Sequence, residues 1–316
     1  QNAVVKVGLI GLGRMGQNHL RILSMLKSVE LTFIYDIDHK VSERLGENFG
    51  VKAVVDLEQA LDTVDAVVIT SPTITHYEYV KQASAYVQHI FVEKPLADNL
   101  ADAESLKALA EEKSLNIQVG FIERFNPAVQ QLKKVLDSSE QVVNVDFTRT
   151  NKIDRITDVD VITDLMIHDI DLAMYLNGPV RSVTAHGEHE GELIGFALAL
   201  LTHENGRFSR IQASRITDKK IRSIQATCKD MYIDCDLLRK EINITKQSQT
   251  FQSDNEPYVI SSQEEFVEVR PQEGLLLELQ AFILSVHSSN VDKPDTLAGR
   301  DAMIVCEKIQ KAIVSQ

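Results

Sequence analysis

The chain has 316 residues, with 46 acidic against 33 basic side chains and a formal net charge of -13. At 44% hydrophobic and 25% charged residues, its composition excludes the disordered and collagen-like classes and suits a soluble chain of about two domains. The acidic balance opposes non-specific attraction to nucleic-acid phosphate or anionic lipid, so neither nucleic acid nor membrane is expected as a partner.

Apolar runs such as Ile194 to Leu201 fall far short of the roughly 20 residues that span a bilayer. The first apolar run, Val4 to Ile10, has no basic region before it and no small-residue cleavage site after it, so a signal peptide is not supported. Cys228, Cys235 and Cys306 lack CxxC spacing and His companions, which argues against a zinc site or a disulfide scaffold; a reducing cytoplasm is the simplest setting.

In chain order, continuous β-branched-rich runs at Val4 to Ile10, Leu31 to Tyr35, Ala66 to Thr70, His89 to Val92 and Ile117 to Phe121 read as buried parallel strands. Helical patterns at Met15 to Ser28, His39 to Phe49, Leu57 to Asp62, His76 to Tyr86 and Ala101 to Ser114 separate them. The result is a doubly wound α/β sheet, a Rossmann domain over residues 1–120.

The remainder, residues 121–296, reads as an α+β domain on a large, mostly antiparallel sheet. Strands are expected at Val143 to Phe147, Ile194 to Leu201, Arg207 to Arg215, Arg222 to Cys228, Met231 to Cys235 and Glu241 to Lys246. In Ile194 to Leu201, the side chains of Ile194, Phe196, Leu198 and Leu200 form the apolar face, and Asn205-Gly206 supplies positive φ angles for a tight hairpin. Helices are expected at Pro127 to Leu136, Ile162 to Asn177, Gly274 to Ser288 and Leu297 to Val314.

The first chemical signal is Gly11-Leu12-Gly13-Arg14-Met15-Gly16, a GxGxxG turn directly after a strand and opening a helix. Gly11 makes the tight turn, Gly13 leaves room for a pyrophosphate at the helix N-terminus beside Arg14 and Met15, and Gly16 permits close packing. Twenty residues beyond Gly16, Asp36 ends the second strand, placed for a ribose diol; a carboxylate there repels a 2′-phosphate and favours NAD over NADP.

Ser71, Pro72, Thr73 and His76 follow the strand Ala66 to Thr70 at the carboxyl edge, where such sheets bind ligands. His76 either faces the cofactor or packs against its own turn. Glu93-Lys94-Pro95 ends the strand His89 to Val92. Its place beside the expected nicotinamide makes Lys94 a candidate rather than a solvated charge, and Pro95 restricts it to extended geometry and permits a cis bond.

The second polar cluster is Asp164-Leu165-Met166-Ile167-His168-Asp169-Ile170-Asp171. On a helix, Asp164 and His168 share a face, with Asp171 three residues further on, so a carboxylate supports an imidazole suited to proton transfer. A zinc pair or a salt-bridged helix face are the competing readings.

Together the GxGxxG turn, Glu93-Lys94-Pro95 and Asp164-x-x-x-His168 resemble the Gfo/Idh/MocA family, relatives of glucose-fructose oxidoreductase and inositol dehydrogenase, over nearly the whole chain. Gly120-Phe121-Ile122-Glu123-Arg124-Phe125-Asn126-Pro127 and the Asp164 cluster are most similar to the branch of UDP-N-acetylglucosamine 3-dehydrogenases. The resemblance implies an NAD-dependent oxidation of a sugar hydroxyl, with His168 as base, Asp164 supporting it and binding substrate, and Lys94 on the reacting oxygen. It also implies Arg124 and Asn126 at the substrate entrance, Arg124 toward a diphosphate or a sugar hydroxyl.

The same resemblance implies that the helix 297–316 packs back on the dinucleotide domain, and that the open sheet face forms a homodimer or homotetramer. An aminotransferase would consume the ketone. The chain departs from that branch at Thr148 to Arg155, where an Arg-x-Gly-Pro segment is usual, and at Asp160, where a glycine is usual. Dehydrogenation of a free polyol such as an inositol, and NAD sensing without turnover, are the other readings.

Overall fold

The computed structural model describes residues 3–152, 158–251, 254–257 and 259–314; Ile153 to Arg155 of the departing segment lie outside them. The first part of the chain runs β1 (Val5–Ile10), α1 (Arg14–Met25), β2 (Val29–Tyr35), α2 (His39–Phe49), α3 (Leu57–Leu61), β3 (Ala66–Ile69), α4 (His76–Ala83), β4 (His89–Glu93), α5 (Leu100–Lys113) and β5 (Asn116–Gly120). Next come α6 (Pro127–Asp137), β6 (Val142–Thr150), a π-helical turn (Ile162–Met166), α7 (Ile167–Asn177), β7 (Val180–Glu190), β8 (Leu193–His203), β9 (Phe208–Ser214) and β10 (Ile221–Cys228). The chain closes with β11 (Tyr232–Asp236), β12 (Glu241–Phe251), β13 (Val259–Val267), α8 (Gly274–His287) and α9 (Thr296–Val314).

The five continuous apolar runs form an all-parallel sheet in the order β2-β1-β3-β4-β5. Every residue of β3 is buried, as a strand covered on both faces requires. Helix limits follow local chemistry. Asp38 accepts from the Lys40 N–H at the start of α2 and Gly50 ends it in the left-handed region at φ 66°. The patterns Met15 to Ser28 and His76 to Tyr86 overrun, since α1 stops at Met25 and α4 at Ala83.

The chain divides into two units, Gln1–Ile122 with Glu273–Ile304, and Glu123–Gln272 with Val305–Gln316. The placement of α8 therefore differs from a simple boundary near residue 120. Leu275, Leu279, Phe282 and Ile283 of α8 are buried in one core with Val5, Val7, Leu9, Leu20, Leu23 and Phe91. A helix this apolar needs a partner, and the first unit supplies it. The first turns of α9 belong to the same unit, with Gly299 close against Leu96 and Val119; its later turns belong to the second, where Ile313 closes on Gly187.

The second unit is built on an eight-stranded sheet in the order β13-β12-β11-β10-β6-β9-β8-β7, antiparallel except for the β6–β9 pair. The strands that the alternation did not reveal, β7 and β13, are the two edges. An edge strand such as Val180–Glu190 carries charged and polar residues on both faces, which erases the apolar alternation and discourages stray pairing.

In β8 the two alternating sets differ in burial, although Ile194 at the start of the strand is itself buried. Ala197, Ala199 and Leu201 are the buried set, whereas Phe196 and Leu198 are half-buried and Leu200 is exposed. The small Ala197 and Ala199 lie on the inner face, and the bulkier Phe196, Leu198 and Leu200 lie outside. The hairpin to β9 also differs: only Gly206 takes positive φ, at 85°. The Gly206 N–H donates to the His203 carbonyl, and the Asn205 side chain is committed to the Arg207 N–H and the Asn177 carbonyl. A three-residue loop with one left-handed residue results.

Candidate active site

The glycine turn after β1 abuts the loop after β3, at the point where the sheet order changes direction. Gly11 has φ 95°, and a Cβ on it would collide with the Ser71 backbone; a Cβ on Gly16 would collide with the Gly11 carbonyl. Thr70, which belongs to no recognisable motif, locks the turn by donating its hydroxyl to the Gly11 carbonyl at 2.7 Å. A Cβ on Gly13 would meet nothing within 4 Å, and Gly13 brings no capping side chain to the start of α1. The start of α1 thus has no capping side chain and has room at Gly13, which fits a dinucleotide pyrophosphate. Arg14 and Met15 flank this space and are exposed.

Asp36 stands at the end of β2, half-buried. Its Oδ2 accepts from the Leu12 N–H at 2.8 Å and its Oδ1 from the Asp38 N–H at 2.9 Å. The carboxylate thus braces the glycine turn, and its remaining lone pairs suit a ribose diol.

Beyond β3, the Ser71 hydroxyl accepts from Thr75 Oγ1 at 2.7 Å, Pro72 is exposed and Thr73 begins a single 3-10 turn. His76 takes the packing role. It is 1% exposed, with Nδ1 2.8 Å from the Pro95 carbonyl and Nε2 2.9 Å from the Ser71 carbonyl. Burial lowers its pKa below the ordinary 6.5 against the pull of those carbonyls. The ring ties two loops together from inside, in keeping with the packing alternative of the two that the sequence left open.

Glu93 is likewise committed within the chain. Its Oε1 lies 2.8 Å from Nε2 of the buried His19 and its Oε2 accepts from the Lys94 N–H at 3.3 Å. Gly120 is required beneath it, because a Cβ there would press on the same carboxylate. Glu278 of α8 completes the cluster: donor atoms of His19, Glu93 and Glu278 lie within 4.8 Å of one another. Among the described residues this is the one His/Cys/Asp/Glu group spaced to share an ion, and it does not include Asp164 or His168. Glu93 therefore braces the loop that carries Lys94. Lys94 is half-buried, and its peptide bond to Pro95 is cis.

In the second unit Asp164 lies in the π turn and His168 in the first turn of α7. Both are half-buried while Met166, Ile167, Asp169 and Ile170 around them are buried, and Nδ1 of His168 is shielded from solvent. The regular 3.6-residue spacing assumed from sequence gives way here to a wider turn, a deviation that frequently accompanies functional sites.

The two aspartates that follow are fully occupied. Arg149 donates to Asp169 through Nε and Nη2, both at 3.0 Å, and through Nη2 to Glu123 at 2.9 Å. Burial works against the Arg149 charge, but Asp169 and Glu123 outweigh it and hold the guanidinium protonated. Arg124 forms a two-pronged pair with Asp171, at 2.7 and 2.6 Å, and its guanidinium lies 4.6 Å from the Tyr175 ring centroid. Asn126 is buried, capping α6 through the Ala128 N–H and donating to the Leu237 carbonyl.

Arg124 and Asn126 thus hold α6 and α7 in place. Asp171 serves the same pair and not the His168 face. The readable signal was an arginine on the core face of β6, in line with Val145 and Phe147, which demands buried carboxylates.

Residues 5–121 match the oxidoreductase family with an NAD-binding Rossmann fold, GFO/IDH/MocA, and residues 141–233 match the C-terminal domain of the same family. The chain is 25% identical to the UDP-N-acetylglucosamine 3-dehydrogenase of Acidithiobacillus ferrooxidans over 98% of this chain and 97% of that protein. A solved structure of that enzyme superposes with a TM-score of 0.90, covering 99% of both chains. It is 30% identical to the myo-inositol 2-dehydrogenase of Thermotoga maritima over 67% of this chain and 69% of the other. The oxidoreductase of Agrobacterium radiobacter solved with NAD+, L-tartaric acid and magnesium shares the fold, with a TM-score of 0.84 at 22% identity over 98% of this chain and 96% of that one. The chain belongs to the GFO/IDH/MocA oxidoreductase family, and its first unit carries that family's NAD-binding Rossmann fold.

Proposed function

We propose that the protein oxidises the C3 hydroxyl of a UDP-N-acetylhexosamine to a ketone with NAD as acceptor. End-to-end similarity to the A. ferrooxidans enzyme, in sequence and in fold, carries this reading. The identity with the inositol dehydrogenase is higher but extends over about two thirds of the chain, and it keeps a free polyol as the second reading. NAD sensing without turnover is not favoured, since a sensor has no use for a Lys94, Asp164 and His168 set.

Bound NAD supplies the hydride acceptor. The hydroxyl must also lose a proton, and His168 is the base: a neutral imidazole titrates near neutral pH and takes that proton through a ring nitrogen. Asp164 favours the imidazolium that forms. The Lys94 ammonium donates to the reacting oxygen as alkoxide charge develops, an interaction stronger in the transition state than in the ground state. Asp36 takes the ribose diol and the turn at Gly11, Gly13 and Gly16 the pyrophosphate.

A ketone at C3 suits an aminotransferase as the next enzyme. A reaction drawing on NAD and a nucleotide sugar fits a cytoplasmic setting, as do three buried free cysteines; among the described residues no helix is long and apolar enough to cross a membrane. The outer sheet face, with Leu200, Phe208 and Tyr232 exposed, suits a second copy of the chain in a homodimer or homotetramer.

The test follows the hydride itself. UDP-N-acetylglucosamine carrying deuterium at C3 is incubated with enzyme and NAD, and deuterated NADH is sought by mass spectrometry. Transfer of the label supports the reading; unlabelled NADH places the oxidation at another carbon.

A further inference from the structure

We propose that Asp160 and Gln310 are positioning residues for Asp164 and His168, an inference that rests on the catalytic reading above. Asp160 lies just before the π turn. Its Oδ1 accepts from the Ile162 N–H at 3.0 Å, the Thr163 N–H at 3.0 Å and the Thr163 hydroxyl at 3.1 Å. Its Oδ2 accepts from the Gln310 side-chain amide of α9 at 2.8 Å, and its backbone carbonyl accepts from the Asp164 N–H at 3.2 Å.

The chemistry explains why such a clamp is needed. A helix start leaves N–H groups without intrahelical partners, and a π turn, wider than an α turn, is a rare geometry that its own hydrogen bonds hold poorly. A carboxylate at that end meets both the loose donors and the positive end of the helix dipole. One side chain thus fixes Ile162 and Thr163, the two residues before Asp164, while its own carbonyl holds Asp164 directly. Gln310 fixes the carboxylate in turn, so the last turns of α9 set the direction in which the π turn leaves the preceding chain. The charge at Asp160 is met by these four donors.

The consequence is separable from cofactor binding, because the glycine turn and Asp36 lie in the other unit. Asp160→Leu removes every side-chain bond and is expected to lower kcat about tenfold, the scale on which small misplacements of reacting groups act. Its NAD dissociation constant stays at the wild-type value. The acid limb of the pH–kcat profile moves to lower pH, because a displaced Asp164 no longer favours the His168 imidazolium. Asp160→Asn restores most of the rate, since its amide oxygen accepts the same three donors and its NH2 meets the rotated Gln310 amide. Gln310→Leu leaves the cap itself in place and shifts kcat and the acid limb in the same direction, by less.

The test is steady-state kinetics of these three variants and of His168→Ala, with NAD binding followed by fluorescence. Wild-type kcat and an unshifted acid limb in folded Asp160→Leu overturn the proposal; if that variant fails to fold, the same result in Gln310→Leu does so. Full turnover by His168→Ala removes the catalytic reading and this inference with it. An inactive His168→Ala beside an unaffected Asp160→Leu removes the positioning role alone.

Discussion

Asp169, the residue directly after His168, receives two hydrogen bonds at 3.0 Å from Arg149 on the neighbouring strand β6. The proposed base is thus anchored through the adjoining residue of α7, in a pair whose side chains are 6% and 2% exposed. Removing one member leaves buried charge uncompensated.

Arg149→Met is accordingly expected to cost about 3–5 kcal/mol in urea unfolding, the range for breaking a buried ion pair. Arg149→Met with Asp169→Leu recovers part of that loss, because no lone carboxylate remains at that position. A double variant as unstable as the single one contradicts the ion-pair account.

The glycines of the cofactor turn separate binding from folding. Gly13→Ala enters open space, so the thermal midpoint stays put while the NAD dissociation constant rises, the added methyl occupying the pyrophosphate position. Gly11→Ala meets the Ser71 backbone from a positive φ and is expected to lose about 1–3 kcal/mol of stability as well as NAD. Calorimetric titration and thermal melts of the two variants give the comparison; equal melting losses contradict it.

Asp36→Ala removes the proposed ribose acceptor and, with it, the repulsion of a 2′-phosphate. We expect NAD affinity to fall about 10- to 100-fold, the worth of hydrogen bonds to a charged group, while NADP binding is retained or improved. Titration with both dinucleotides checks it, and an unchanged NAD to NADP ratio removes Asp36 from the ribose site.

His203 yields a pH dependence. It is fully buried, with Nδ1 2.6 Å from the Gly178 carbonyl and Nε2 2.6 Å from the Ser209 hydroxyl, a set that a neutral ring satisfies by donating once and accepting once. Burial lowers its pKa below 6.5, with Arg207 acting the same way and the Gly178 and Pro179 carbonyls opposing. The unfolded chain therefore binds a proton that the folded chain refuses, and the stability present above pH 6.5 is lost as pH falls through the window below it. His76 and His89 shift in the same direction. Each such group contributes a slope of at most about 1.4 kcal/mol per pH unit, and His203→Gln should flatten the fall in unfolding free energy between neutral and mildly acid pH.

The parallel sheet was legible because strands buried on both faces are apolar throughout, as in Ala66–Ile69. The glycine turn was legible because Gly11 and Gly16 are forced by backbone proximity, which no other residue type tolerates. The edges β7 and β13 were hidden by their polar faces, and the unit to which α8 belongs was hidden because uniform hydrophobicity names no partner. His76, Glu93, Arg124 and Asn126 stand in motifs that read as ligand contacts. Their partners, among them Asp171, the Leu237 carbonyl and His19, are 47, 111 and 74 residues away in sequence from Arg124, Asn126 and Glu93. Only the fold reveals that these side chains are already engaged.

The most direct measurement of the central claim is nicotinamide absorbance on the purified protein with NAD. Each of UDP-N-acetylglucosamine, UDP-N-acetylgalactosamine, free N-acetylglucosamine and myo-inositol is offered in turn, with an aminotransferase to draw off the ketone. The account predicts NADH with a UDP-sugar alone, and its loss by about 10²–10⁴-fold in His168→Ala, the range for general-base catalysis. NADH formed from myo-inositol and not from either UDP-sugar would contradict it.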